Sequence, residues 1–394
     1  MYRDTLVSRT MGKLLRWRVI SALTLVGILL GIHRTASTKI MAQEGKVENV
    51  ILITLDGLRC QEVFGGIDER LVVPEMGVKH REDFLERFGG ATAEQRRRRL
   101  MPFLWESIEK GGWIAGDRQR GSEVRVTNGR YFSYPGYSEL LCGFGSPAID
   151  SNAKRYNPEV TVLEWMHRRP GARYPVMAFC SWDVFPFIIN DQRSGIPVNA
   201  GWMDLTVGQD SERLSLINMA AENLFHEWAS VRYDVFTAIG AIEAMQAEQP
   251  RVLYVALGET DDWAHMGRYD RYIESAHYDD ALIRRIWETA QRLPAYRQRT
   301  ALVITTDHGR GDGREEWKSH GRDLPGSDAI WVAAWGAGIA LSGVDAGGRF
   351  TQSQIAATVA GLLGEDFTAA DSRIAPPLPI LFPAEDRAEH PPSE

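Results

Sequence analysis

Cysteine is scarce: Cys60, Cys142 and Cys180 are the only three in 394 residues. So few, in an odd number, cannot build a disulfide framework, and stability has to come from an apolar core. An excess of positive charge is missing too. Lys and Arg number 45 against 52 Asp and Glu, a formal net charge of -7, so no nucleic-acid-binding surface is expected. There is no internal repeat. Apolar residues make up 44% and charged residues 25%, the proportions of an ordinary globular chain rather than a collagen-like, disordered or multi-span membrane one. At roughly 150 residues per domain the length allows two or three domains, although large α/β enzymes reach it around one core.

Residues 1–42 read as a signal peptide or N-terminal anchor. Arg3, Arg9, Lys13, Arg16 and Arg18 precede a mostly apolar run of fourteen residues, Val19 to Ile32, which suits the hydrophobic region of a secretory signal. That run is short of the ~20 residues that span a bilayer comfortably. Ile40 interrupts the small-residue cleavage pattern before Gln43, so membrane anchoring through residues 19–32 is the alternative, and Met11 is an alternative start. The expected location is periplasmic or extracellular. Residues 43–374 form the expected catalytic body, and 375–394 a Pro-rich tail with a strand-like beginning.

In the body, short apolar runs alternate with helical patterns. Strands are expected at Asn49–Leu55, Pro175–Cys180, Arg251–Leu257, Ala301–Thr306 and Ala329–Trp335. Several are continuous in apolar residues, as befits strands covered on both faces. Between them, Ile273, Ala276, Ile283, Trp287 and Ala290 keep a three-four helical spacing that Asp280 interrupts, marking Asp280 as a capping or hydrogen-bonded carboxylate. The order implies an α/β fold around a mostly parallel, doubly wound sheet. Residues 184–250 read as a cap insertion beside it. Arg96 to Arg99 form a run of four arginines, more suited to a solvated helix face than to an anionic substrate.

Three expected strands end on, or four residues before, an aspartate. Asp56 follows Ile-Thr-Leu, Asp261 and His265 lie in Gly-Glu-Thr-Asp-Asp-Trp-Ala-His, and Asp307 and His308 lie in Thr-Thr-Asp-His-Gly. Ligands of open parallel sheets bind at the carboxyl ends of the strands, so these residues should converge. Asp261, His265 and His320 would hold one divalent ion, and Asp56, Asp307 and His308 a second. Mixed imidazole and carboxylate ligands favour Zn²⁺, with Mn²⁺ as the alternative. His320 has no strand to fix its loop. A nucleophile candidate lies in Phe-Ser-Tyr-Pro-Gly-Tyr-Ser: Ser133, just before an expected helix, where backbone amides and the helix dipole favour an anion. The same position also suits an ordinary helix cap.

Together these motifs resemble the alkaline phosphatase superfamily, most closely its type I phosphodiesterase/nucleotide pyrophosphatase branch, over most of residues 47–340. Ser133-Tyr134-Pro135 with Gly143 matches that branch's nucleophile motif. Thr260-Asp261-Asp262-Trp263-Ala264-His265 resembles its Pro-Asp-x-x-Gly-His, and Thr306-Asp307-His308-Gly309 its Ser-Asp-His-Gly. The resemblance implies a three-layer sandwich, two divalent ions, a small-molecule phosphate ester as substrate, and substrate contacts from Asn152 and Trp182. Tyr137 stands where a sulfatase of the superfamily needs Arg. The stretch Cys180-Ser181-Trp182-Asp183-Val184 lacks the Lys and Arg of the monoesterase branch, which leans the reading toward a diester or pyrophosphate. Arg59, Arg130, Lys154 and Arg155 are the basic residues that could take their place. The alternatives are a broad phosphomonoesterase, a headgroup phosphotransferase and a non-catalytic exported metal-binding protein.

Overall fold

Asn49–Leu55 is buried at every position, and its alternate residues serve two different cores. Ile51, Ile53 and Leu55 join one apolar cluster, while Val50 and Leu52 join another. A strand packed on both faces has no polar side, which explains the unbroken apolar run. The computed structural model describes residues 47–170, 173–208 and 211–381. The expected leader and residues 382–394 of the expected tail lie outside them.

In chain order the strands are β1 (Asn49–Leu55), β2 (Trp113–Ala115), β3 (Glu123–Arg125), β4 (Val176–Cys180), β5 (Val198–Ala200), β6 (Val252–Leu257), β7 (Thr300–Thr305), β8 (Ala329–Ile330), β9 (Val332–Gly336), β10 (Gly343–Val344) and β11 (Arg349–Thr351). Eight form one sheet in the order β10-β2-β9-β7-β1-β6-β4-β5, and β11-β3-β8 form a small second sheet. In the large sheet β9 alone runs against its neighbours β7 and β2, while β7, β1, β6, β4 and β5 are parallel throughout. The Ala329–Trp335 run, expected as one strand, divides at Trp331. That ring is fully buried and donates to the Leu58 carbonyl, so the chain steps from the small sheet into the large one there.

Helices cover both faces and make a three-layer α/β sandwich. Pro102–Glu109, Asp234–Ala247 and Tyr269–Arg292 contribute to the first cluster, and Ser133–Cys142, Val162–His167 and Gln354–Leu362 to the second. Residues 184–250 are only partly a cap. β5 extends the sheet edge, and the apolar, alanine-rich helix Asp234–Ala247 packs into the first core. Residues 375–381, expected as the start of a loose tail, are held too: Leu378 and Ile380 are buried, and the segment closes in a short 3-10 turn rather than a strand. Among the described residues no helix is long and apolar enough to cross a membrane.

The arginine run lies on the helix Ala93–Leu100 and is spent on structure. Arg96 donates to the carbonyls of Gly65 and Gly90, Arg97 stacks over Trp105, Arg98 pairs with Glu94 and Glu109, and Arg99 donates to the Glu86 carbonyl. Asp280 is 1% exposed and accepts from the amides of Phe103 and Leu104 at 2.7 and 2.8 Å. It therefore caps the helix that begins at Pro102, whose first-turn amides have no other acceptor. Asp280→Ala should strand both donors and destabilise the fold by about 1–3 kcal/mol in urea unfolding, with Asp280→Asn keeping part of the loss; an unchanged midpoint would deny the cap its role.

Candidate metal centre

Because β7, β1 and β6 are adjacent and parallel, their carboxyl ends lie side by side. Asp56 follows β1 directly, the helix Glu259–His265 begins two residues after β6, and Asp307 comes two residues after β7. The loops are tied to one another. Gly57 donates its amide to Asp307 Oδ1 at 3.1 Å, and Thr260 donates its hydroxyl to the Asp56 carbonyl at 2.5 Å. Gly57 has φ of 61°, and a Cβ there would stand 2.8 Å from Asp261 Oδ1, so only glycine allows the turn between the carboxylates. The start of the Glu259–His265 helix is locked to the Asp234–Ala247 helix by reciprocal caps. Asp234 accepts from the amides of Gly258 and Glu259 at 2.7 and 2.9 Å, while Glu259 accepts from the Asp234 amide at 2.8 Å.

The inner cluster consists of Asp56, Asp307 and His308, whose potential ligand atoms all lie within 4.8 Å of one another. His308 is fully buried, and its Nδ1 donates to the Gly309 carbonyl at 2.8 Å. That bond orients the ring so that Nε2 faces Asp56 Oδ1 at 3.3 Å and Asp307 Oδ2 at 3.4 Å. The outer cluster holds the expected Asp261, His265 and His320. His265 Nε2 lies 3.2 Å from Asp261 Oδ2 and 2.9 Å from His320 Nε2, near the ~3.3 Å that separates two nitrogens on one tetrahedral zinc. The clusters adjoin: His308 Nε2 is 3.8 Å from Asp261 Oδ1, and Asp261, His308 and His320 also form a close group.

Charge is unevenly compensated across the two. Burial first, then the facing charge of Asp261, drives the Asp56 carboxyl well above its ordinary range. Burial and Asp56 do the same to Asp307. Burial also acts on Asp261, but Arg310 and His265 outweigh it and hold that carboxyl well below the usual range. Burial, with His308 beside it, depresses His320 to about 2, so its imidazole is neutral, as a metal ligand requires. Asp56 Oδ1, Asp307 Oδ2 and His320 Nδ1 are buried and make no hydrogen bond among the described residues. Orphaned acceptors of this kind are costly to hold in the interior, and two such oxygens facing an imidazole nitrogen fit a divalent cation.

Ser133 is brought to the inner cluster, its Oγ 3.4 Å from His308 Nε2. It is the first residue of its helix rather than the cap. Phe132 takes the capping position and makes no side-chain cap bond. The helix approaches Asp307 so closely that a Cβ on Gly136 would stand 2.4 Å from the Asp307 carbonyl oxygen. At the other end of this helix Glu139 accepts from the amides of Thr127 and Asn128, fixing the loop that leads into Ser133. The expectation that the amides after Ser133 would meet an anion needs correction. The Tyr134 amide is taken by Asn152 Oδ1 at 3.0 Å, Pro135 has none, and the Gly136 amide bonds to the Phe132 carbonyl. Asn152 itself is exposed, and its NH₂ makes no hydrogen bond among the described residues. Trp182 lies half-buried just past β4, one strand beyond β6, with its ring edge-on to Phe185.

Two side chains in the centre lie outside the expected ligand set. Tyr137 donates its hydroxyl to Asp56 Oδ2 at 3.0 Å, turning the other oxygen inward; its place one helical turn after Ser133 was the available clue. Arg310 is fully buried and places Nη1 2.6 Å from Asp261 Oδ1. An arginine after Asp-His-Gly looks in sequence like any surface cation.

No family profile matches the chain, and no curated protein matches it. Solved structures do. Alkaline phosphatase PafA is similar with a TM-score of 0.57 at 9% identity, over 84% of this chain and 98% of that one. The lipoteichoic acid synthase LtaP from Listeria monocytogenes gives 0.51 at 11% identity, over 84% and 76%. BT1596, a 2-O GAG sulfatase, gives 0.51 at 13% identity, over 85% and 74%. The chain shares its fold with these three structures.

Since Asp56 and Asp307 crowd one buried space, Asp307→Asn should raise the thermal midpoint of metal-free protein by ~1–3 °C. The amide oxygen still accepts from Gly57. The same variant should lose most of the midpoint gain that Zn²⁺ gives the wild type; a variant that unfolds earlier without metal, or responds to Zn²⁺ as before, contradicts the electrostatic account.

Proposed function

We propose that the chain is an exported two-metal phosphohydrolase that cleaves phosphate esters, a diester or pyrophosphate by preference, through a phosphoseryl intermediate on Ser133. The observation that carries this reading is the Ser133 hydroxyl 3.4 Å from His308 Nε2, beside two buried and unpaired carboxylate oxygens. Asp56, Asp307 and His308 would hold one divalent cation and Asp261, His265 and His320 the other. When bound, such a pair supplies the positive charge that acidifies a hydroxyl and stabilises a leaving oxygen. Zn²⁺ suits the donors best, with Mn²⁺ the alternative.

The residues of the chain divide the remaining work. Helix packing on Asp307 places Ser133 for attack on phosphorus, which forms an Oγ–P bond as the bond to the leaving oxygen breaks. Water then cleaves the seryl ester, returning the hydroxyl and releasing the phosphoryl product. Asn152, anchored through its carbonyl on the Tyr134 amide, offers its NH₂ to a non-bridging oxygen, and Trp182 offers an aromatic wall at the same sheet edge. Tyr137, committed to Asp56, supports phosphate over sulfate because a sulfatase of the superfamily needs Arg at that position.

The preference for a diester is supported by where the basic residues go. Arg59 pairs with the buried Glu62, Lys154 with Asp183, and Arg155 with Asp150. Arg130 alone of the four makes no ion pair among the described residues, so little charge is left for the second anionic oxygen of a monoester.

Ser133→Ala should cut turnover by about 10³-fold or more while leaving metal content and unfolding midpoint unchanged; retained activity would exclude the covalent route. On the wild type, methyl p-nitrophenyl phosphate should be cleaved faster than p-nitrophenyl phosphate, and p-nitrophenyl sulfate not measurably. The reverse order would point to a monoesterase, and product transfer to added glycerol would point to a phosphotransferase.

A further inference from the structure

The stretch from Gly309 to Gly321 has no strand and a single short 3-10 turn, Glu316–Lys318, yet it delivers His320 to within 2.9 Å of His265. Something must hold it. Arg310, 0% exposed, spends its guanidinium on both walls of the outer cluster. On the loop side Nε donates to the Trp317 carbonyl at 2.9 Å and Nη2 to the Lys318 carbonyl at 3.2 Å. On the helix side Nη1 donates to Asp261 Oδ1 at 2.6 Å and Nη2 to the Asp261 carbonyl at 3.3 Å. One rigid fork thus joins the residues just ahead of His320 to the helix that carries Asp261 and His265. Arg59 supports the same loop, but through the Gly311 carbonyl, and its charge is paired with Glu62.

We propose that Arg310 is a positioning residue that assembles the outer cation site, holding His320 against Asp261 and His265 and turning Asp261 so that Oδ2 faces His265 Nε2 at 3.2 Å. The proposal rests on the two-ion reading of the centre. A guanidinium near a cation also repels it, and here the guanidinium is already paired with the Asp261 carboxylate. Planarity is essential to the role: a fork spans two carbonyls and a carboxylate at fixed angles, whereas an ammonium is a point charge on a flexible stem. Hydrogen-bond partners of metal ligands typically control affinity by about 10–100-fold.

The test is a Co²⁺ titration of the metal-free full chain, followed by calorimetry and by visible absorption, which reports ligand geometry independently of activity. Wild type should bind two ions. Arg310→Met should bind the inner ion with unchanged affinity and the outer one about 10–100-fold more weakly, with the absorption of the outer site reduced as in His320→Ala. Arg310→Lys, which keeps the charge and loses the fork, should remain closer to Arg310→Met than to wild type, and it carries the test alone if Arg310→Met fails to fold. Two ions bound by Arg310→Met at wild-type affinity, or more tightly, would overturn the clamp, and so would full rescue by lysine. A wild-type chain that takes up no second ion would overturn the clamp together with the two-ion reading.

Discussion

Three carboxylates share one desolvated space at the ends of adjacent strands, and the rest of the centre answers to that constraint. Asp56 and Asp307 are held where water cannot screen them and Asp261 is largely covered, and like charges so placed oppose the fold. Parallel pairing of β7, β1 and β6 imposes the arrangement, because their registers bring the three strand ends level. The apolar packing on both faces of the sheet supplies the stability that tolerates it. What remains is a charge balance, met on one side by Arg310 and left open on the other.

That asymmetry distinguishes the two clusters. Asp261 already has a cation within hydrogen-bond distance, and its protons are driven off. Asp56 and Asp307 have between them a tyrosine hydroxyl, a backbone amide and the Nε2 edge of His308. The inner cluster therefore carries the less compensated negative charge, and the Ser133 hydroxyl lies beside it. The nucleophile helix reaches this place through backbone contact at Gly136 and through Glu139, which binds the loop before Ser133 from the far end of the same helix.

Much of this was legible in the residue order. Continuous apolar runs marked β1, β4, β6 and β7 to within one residue, since strands buried on both faces cannot hide among polar neighbours. Asp280 stood out as a polar residue on an apolar stripe and proved to be a cap. Other expectations failed for identifiable reasons. Residues 184–250 looked unlike the core because β5 is only three residues long and the apolar helix Asp234–Ala247 follows a stretch of turns and polar residues. The amides after Ser133 looked available because Asn152, nineteen residues on, had not yet been seen to occupy one. Ala329–Trp335 looked like one strand because an apolar run does not reveal which sheet each half joins.

By itself the sequence determined the layered α/β class, the strands that carry the acidic loops, and the residue types able to bind cations, because local periodicity and strand-end chemistry are written in consecutive positions. Only the tertiary structure decided that Tyr137 orients Asp56, that Arg310 bridges the His320 loop to Asp261, and that His308 presents Nε2 inward. Those relations depend on hydrogen-bond geometry between side chains 49 and 81 positions apart, or between a ring and one particular carbonyl, and such geometry exists only once the sheet has brought its ends together.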